Sequence, residues 1–139
     1  MSTRSLIAKA TEHGFEAIYC HSDGYPEHHG PILTKHYATE DAVNTLLELG
    51  DLSVLGAEIG EAHEFRDHGD YPGGSHFGWC RAYGRDRGDK GAGLRGFASE
   101  EELFASARER WAAFAYLFRD GRWFCRAVKD ANAWTELRA

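Results

Sequence analysis

Between Ile18 and His29 the chain runs Ile18-Tyr19-Cys20-His21-Ser22-Asp23-Gly24-Tyr25-Pro26-Glu27-His28-His29, three histidines, two acids and two tyrosines around a Gly/Pro turn. Imidazoles and carboxylates gathered this densely are the raw material of a metal site or of general acid–base work. A looser echo runs from His63 to His76, where Asp70-Tyr71-Pro72 repeats the character of Gly24-Tyr25-Pro26. His21, Asp23, His28, His29 and His36 from one segment, with His63, His68 and His76 from the other, would supply metal ligands if the fold brought them together. The spacing argues for no particular metal: His63 and His68 are one residue too far apart for the His-Glu-x-x-His helix motif. No cofactor is therefore expected.

Nucleophilic chemistry has less behind it. Cys20 and His21 are neighbours on a strand-like segment, so their side chains point to opposite faces. Ser22, His21 and Asp23 are too close in sequence to form a relay, and no Gly-x-Ser-x-Gly elbow occurs. Residues 84–96 hold five glycines, three arginines and a lysine, which invites a phosphate-binding reading. They lack the Gly-Lys-Ser/Thr ending of a P-loop, and Asp86 and Asp89 dilute the charge. The plainer reading is a mobile connector.

Charge is distributed unevenly. Net charge is −6; residues 1–60 hold nine acids against Arg4, Lys9 and Lys35, whereas from residue 61 onward acids and bases number thirteen each. No Lys or Arg lies between Lys35 and Arg66, where Asp41, Glu48, Asp51, Glu58, Glu61 and Glu64 accumulate. Such a band repels nucleic acid and attracts a basic protein surface.

The elements that must position these residues follow from pattern. Leu6-Ile7-Ala8 and Phe15 to His21 flank a Gly-closed turn and read as an opening hairpin, with Phe15, Ala17, Tyr19 and His21 on one face and Ile18 and Cys20 on the other. Pro26 and Pro31 bracket a loop leading to a short helix over Ile32–Tyr37. Thr39 is placed to cap a helix whose apolar stripe is Ala42, Val43, Leu46, Leu47 and Leu49, ended by Gly50. Phe77 to Tyr83 reads as a strand. Ser99 and Glu102 make a capping box, and Leu103, Ala107, Trp111 and Phe114 continue one helical face. Asp120-Gly121 between two aromatic segments is the clearest hairpin turn, and Trp134 and Leu137 are expected to return to the sheet.

These elements predict one α+β domain over residues 1–139, with about five strands in a largely antiparallel sheet and two main helices packed on it. The chain has 139 residues and three scattered cysteines, Cys20, Cys80 and Cys125, which favour reduced thiols and a cytoplasmic setting. No apolar run is long enough to span a bilayer.

Ser2-Thr3-Arg4-Ser5-Leu6-Ile7, the Tyr19-Cys20-His21-x-Asp23-Gly24-Tyr25 core, Gly30, His36-Tyr37 and Leu49 to Gly56 together resemble a family of small phage and prophage proteins. The resemblance covers roughly the first 56 residues. Ser22 departs from it, standing where that family has an aromatic residue. The resemblance implies a mobile-element accessory protein, a class rich in anti-CRISPR-like inhibitors of host defence, in the cytoplasm of a bacterial host. It implies no enzymatic activity. The resulting expectation is a binding protein whose partner is a host protein or nucleoprotein complex. It would dock through Asp41, Glu48, Asp51, Glu58, Glu61 and Glu64, with no sequence-specific nucleic-acid contact and no membrane. Tyr19, His21, Asp23, Tyr25, His28, His29 and His36 form a motif without an assigned role. The alternative is a metal-dependent, nuclease-like hydrolase built on the His/Asp loops.

Overall fold

A computed structural model describes residues 3–63, 65, 78–129 and 134–138. In chain order the elements are β1 (Arg4–Thr11), β2 (Gly14–Cys20), α1 (Pro26–His36), α2 (Glu40–Glu48), β3 (Leu52–Val54), β4 (Arg81–Ala82), α3 (Tyr83–Arg87), β5 (Arg95–Phe97), α4 (Glu100–Glu109), β6 (Ala112–Arg119), β7 (Arg122–Ala127) and β8 (Thr135–Glu136). The fold is α+β. Its sheet has more strands than the sequence predicts, in the order β4-β3-β2-β1-β6-β7-β8, with β5 also on β2. Most pairs are antiparallel, but β1 lies parallel to β6 and β2 parallel to β3, so the sheet is mixed.

Alternation along the central strands sorts side chains onto two faces, each covered by helix. Ile7, Ile18, Cys20, Tyr116 and Phe118 pack under Leu33 of α1 and Val43, Leu46 and Leu47 of α2. Leu6, Ala8, Ala17, Tyr19 and Leu117 pack under Leu103 and Ala107 of α4. The face assignment expected for β2 holds. A buried leucine of this kind contributes about 1.5–3 kcal/mol.

The caps read from sequence are also in place. Thr39 accepts the Ala42 N–H, and Ser99 accepts that of Glu102, whose own carboxylate takes the Ala98 N–H. Asp120 and Gly121 both have positive φ (53° and 75°), as a type I′ turn requires, and Arg119 faces Arg122 across it. The tail returns as expected, with Trp134 against the α4 face and Leu137 against the other.

Other expectations are corrected. The helix expected over Ile32–Tyr37 begins at Pro26, because a proline in the first turn has no N–H to waste there. It runs through Pro31, which is exposed, so water can reach the Glu27 carbonyl that the missing N–H would have bonded. The helical stripe through Leu103 and Ala107 stops short of Trp111. Arg110 caps α4, Trp111 turns at φ +60° and is 79% exposed, and Phe114 belongs to β6. Of the strand expected over Phe77–Tyr83, Phe77 lies outside the described residues, Arg81–Ala82 belong to the sheet as β4, and Tyr83 opens α3. Residues 84–96, read as a mobile connector, contain most of α3 and the start of β5.

Candidate functional site

The acidic band does not form a uniform surface. Asp41 and Glu48 stand exposed on α2, and Glu58 and Glu61 are exposed beyond β3. Glu64 lies outside the described residues. Asp51 is the exception, only 4% exposed, which corrects its assignment to a docking surface. Its burial has a backbone cause. The outer edge of β2 is shared: Phe15–Ala17 pair with β5 and Cys20 with Leu52 of β3. Between those partners the Tyr19 N–H has no strand opposite it, and Asp51 Oδ1 accepts it at 2.9 Å. One carboxylate thus fills a gap in the sheet ladder.

The same carboxylate organises a cleft where β3 and β5 part company. Asp51 Oδ2 takes Arg110 Nη2 at 3.0 Å and lies 3.8 Å from Arg95 Nη1. The Asp51 N–H donates to the Ala92 carbonyl at 2.7 Å, tying down residues 88–94. Gly50 is required for that approach: its φ is +75°, and a Cβ would sit 2.2 Å from the Ala92 oxygen. The cleft is open to solvent, holds about 360 Å³ and is lined by Tyr19, Tyr83, Arg87, Lys90, Arg95 and Arg110. Arg110 lies 4.1 Å over the Tyr19 ring and Arg87 lies 4.7 Å over Tyr83. Arg87 is held in a two-pronged pair with Asp89 at 2.9 and 2.6 Å. Stacking and pairing fix both guanidinium planes in advance.

The histidine turn is organised differently. Tyr25 precedes α1 and is 38% exposed; its hydroxyl donates to Asp23 at 3.5 Å, and Asp23 itself is exposed with φ +55°. His29 is fully buried, its Nε2 3.1 Å from Ser5 Oγ and its Nδ1 3.0 Å from His28 Nδ1. Burial, and secondarily the neighbouring His28, push its pKa down to about 3. Tyr116 Oη donates to the Gly24 carbonyl at 2.6 Å, and the Gly24 N–H donates to Thr3 at 2.8 Å. His21, partly buried, sits 2.9 Å from Tyr19 Oη, and burial followed by the charge of Arg4 lowers its pKa. His36 is exposed at the end of α1.

The described histidines therefore do not converge. Among the described residues no three His, Cys, Asp or Glu side chains stand close enough to share a metal ion. His68 and His76 lie outside the described residues. His63 instead meets Asp86, donating its backbone N–H at 3.1 Å. Burial pushes the Asp86 carboxyl up, but Arg85 and the N–H groups of Ala82 and His63 outweigh it and hold the pKa below the usual carboxylate range. Cys20 and His21 do not pair either: Cys20 is buried and unbridged, and burial pushes its thiol up to about 12.

Sequence reading missed Arg110, Tyr83 and the role of Asp51. The one signal available was the basic, glycine-rich stretch over residues 84–96. Comparison with family models, curated proteins and solved structures returns no match. Among the described residues no helix is long and apolar enough to cross a membrane.

Proposed function

We propose that this protein is a phage-type accessory protein that works by binding, docking an acidic surface onto a basic face of a host defence nucleoprotein and blocking it. The observation that carries this reading is the exposed carboxylate set of α2 and the residues after β3. Asp41, Glu48, Glu58 and Glu61 are all solvent-facing, and none has an ion pair among the described residues. Among the exposed, described carboxylates of this stretch Glu40 is neutralised, by Lys9 at 3.0 Å, and the buried Asp51 is paired with Arg110.

Glu48 adds a second physical point. It sits in the last turn of α2, which carries no basic residue, so its charge opposes the helix dipole. A glutamate held at the unfavourable end costs about 0.3–1 kcal/mol unless something outside the chain uses it. Carboxylates in this arrangement compete with phosphates for Lys and Arg on the partner.

Asp41→Lys combined with Glu48→Lys tests the reading. Both residues are exposed; with the helix dipole Asp41→Lys loses and Glu48→Lys gains about 0.3–1 kcal/mol, so the double variant should keep wild-type stability to within about 0.5 kcal/mol. Capture of a basic nucleoprotein subunit from nuclease-treated host lysate should be lost at low salt. Undiminished capture by the double variant would remove the acidic surface from the mechanism.

A further inference from the structure

The acidic reading leaves the cleft around Asp51 unused, and the cleft has the opposite electrical character. Arg87, Lys90, Arg95 and Arg110 line it against Asp51 and Asp89, an excess of two positive charges in a chain of net charge −6. Asp51 and Asp89 are already committed to Arg110 and Arg87. Arg95 is 3.8 Å from Asp51 and spends Nη2 on the Gly91 carbonyl at 2.9 Å. Lys90 is exposed and has no ion-pair partner among the described residues. Gathering cations around one opening is unfavourable unless an anion joins them. Two guanidiniums already flattened on tyrosine rings and held by aspartates are preorganised to offer their remaining N–H groups to a multi-oxygen anion.

The surroundings narrow the class of anion. A cleft of about 360 Å³ is of the size that accepts a small organic ligand. Gly91 and Gly93 leave open space where a side chain would project, so a ligand can approach the backbone there. Trp111 follows directly on Arg110, is 79% exposed, and is held at φ +60°, a conformation that bulky residues adopt at a cost. The indole does not line the cleft; as an exposed ring one residue from a cleft cation it is the surface on which a base outside the cleft would stack.

We infer that the cleft formed by Lys90, Arg95, Arg87 and Arg110, organised by Asp51 and floored by Tyr19 and Tyr83, binds the phosphate of a nucleotide, either free or in a single strand. Asp51 is a positioning residue here, holding Arg110 flat on Tyr19. Binding needs no sequence readout, since every contact named goes to phosphate or to the face of a base. The inference is independent of the acidic docking surface, because no residue is shared between them.

The test uses the full chain with three probes: inorganic phosphate, ATP, and a fluorescein-labelled oligothymidylate. Binding is read by calorimetry for the first two and by anisotropy for the third. Lys90→Glu with Arg95→Glu removes the two least committed cations, and circular dichroism checks that the fold is kept. Expected is binding of ATP or the oligonucleotide that weakens at least about tenfold in the double variant and falls with added salt. ATP alone would name a free nucleotide as the ligand. Oligonucleotide binding that Trp111→Ala also weakens would name a strand. Phosphate without either nucleotide, no probe bound at millimolar concentration, or equal binding by both proteins would overturn the inference. Asp41→Lys/Glu48→Lys should leave all three titrations unchanged, so the two readings fail separately.

Discussion

The histidine turn and the Asp51 cleft are opposite uses of polar residues. In the turn, groups that look reactive are consumed internally: His29 by Ser5 and His28, and the Gly24 carbonyl by Tyr116, while Asp23 stays exposed. In the cleft one buried carboxylate is consumed while the cations around it are left with donors to spare. Density of functional groups in sequence therefore says little about availability. What separates the two regions is the sheet edge. The turn is clamped over β1 and β6 in the middle of the sheet, whereas the cleft opens where β2 changes partner from β5 to β3.

The largest break in that contrast should come from Asp51→Ala. It leaves the Tyr19 N–H without its acceptor and Arg110 without its counter-charge in a part-buried setting, and about 3 kcal/mol of stability should be lost in urea unfolding. A loss below about 1 kcal/mol would mean that neither the Tyr19 N–H nor Arg110 depends on Asp51.

Next in size is the response of the turn to acid. The folded pKa of His29 lies below its ordinary value of 6.5, so the unfolded chain binds the extra proton. The stability contributed by the neutral imidazole is complete above the unfolded value and is lost as pH falls toward about 3. Between pH 6.5 and about pH 5 the loss should be on the order of 2 kcal/mol, and His29→Gln should flatten that part of the curve. Wild type and variant running parallel would show that His29 is not the buried group responsible.

The smallest expected effect sharpens the comparison from the side of the cleft. Trp111→Gly relieves a positive φ and removes little packing, so stability should rise by roughly 0.5 kcal/mol. A fall in melting temperature would give Trp111 a structural role and take away the argument that it is kept for a ligand.

What could be read from sequence was whatever depends on neighbours in the chain. Thr39, Ser99 and Asp120-Gly121 act within four residues of themselves, and each does what its type dictates. The two faces of β2 follow from strict alternation in the same way. The early start of α1 at Pro26 was a local signal misread, but the failures at Asp51 and Trp111 depend on distant partners. Asp51 sits in an acidic run and reads as surface, because its burial is set by a β2 amide 32 residues away and by Arg110, 59 residues away. Trp111 keeps helical phase with Leu103 and Ala107, and only the pairing of Ala112 with Arg4 ends the helix before it. The fold class was legible; the parallel pairs and the cleft were not.

The parallel pairing of β1 with β6 also sets a timetable for synthesis. Arg4 and Ala112 are partners, so about 100 residues must emerge after β1 before its second edge can be covered. At translation rates of roughly 5–20 residues per second that is on the order of 5–20 s. Through this interval β1 and β2 can already close as a hairpin, while the backbone N–H and C=O groups along the open edge of β1 invite any other extended segment. Lys9, near the end of that edge, supplies a charge against such pairing, but Leu6, Ile7 and Ala8 do not. The open edge of β1 is thus exposed to misassembly until β6 has emerged, although the hairpin it belongs to is the first strand pair able to close.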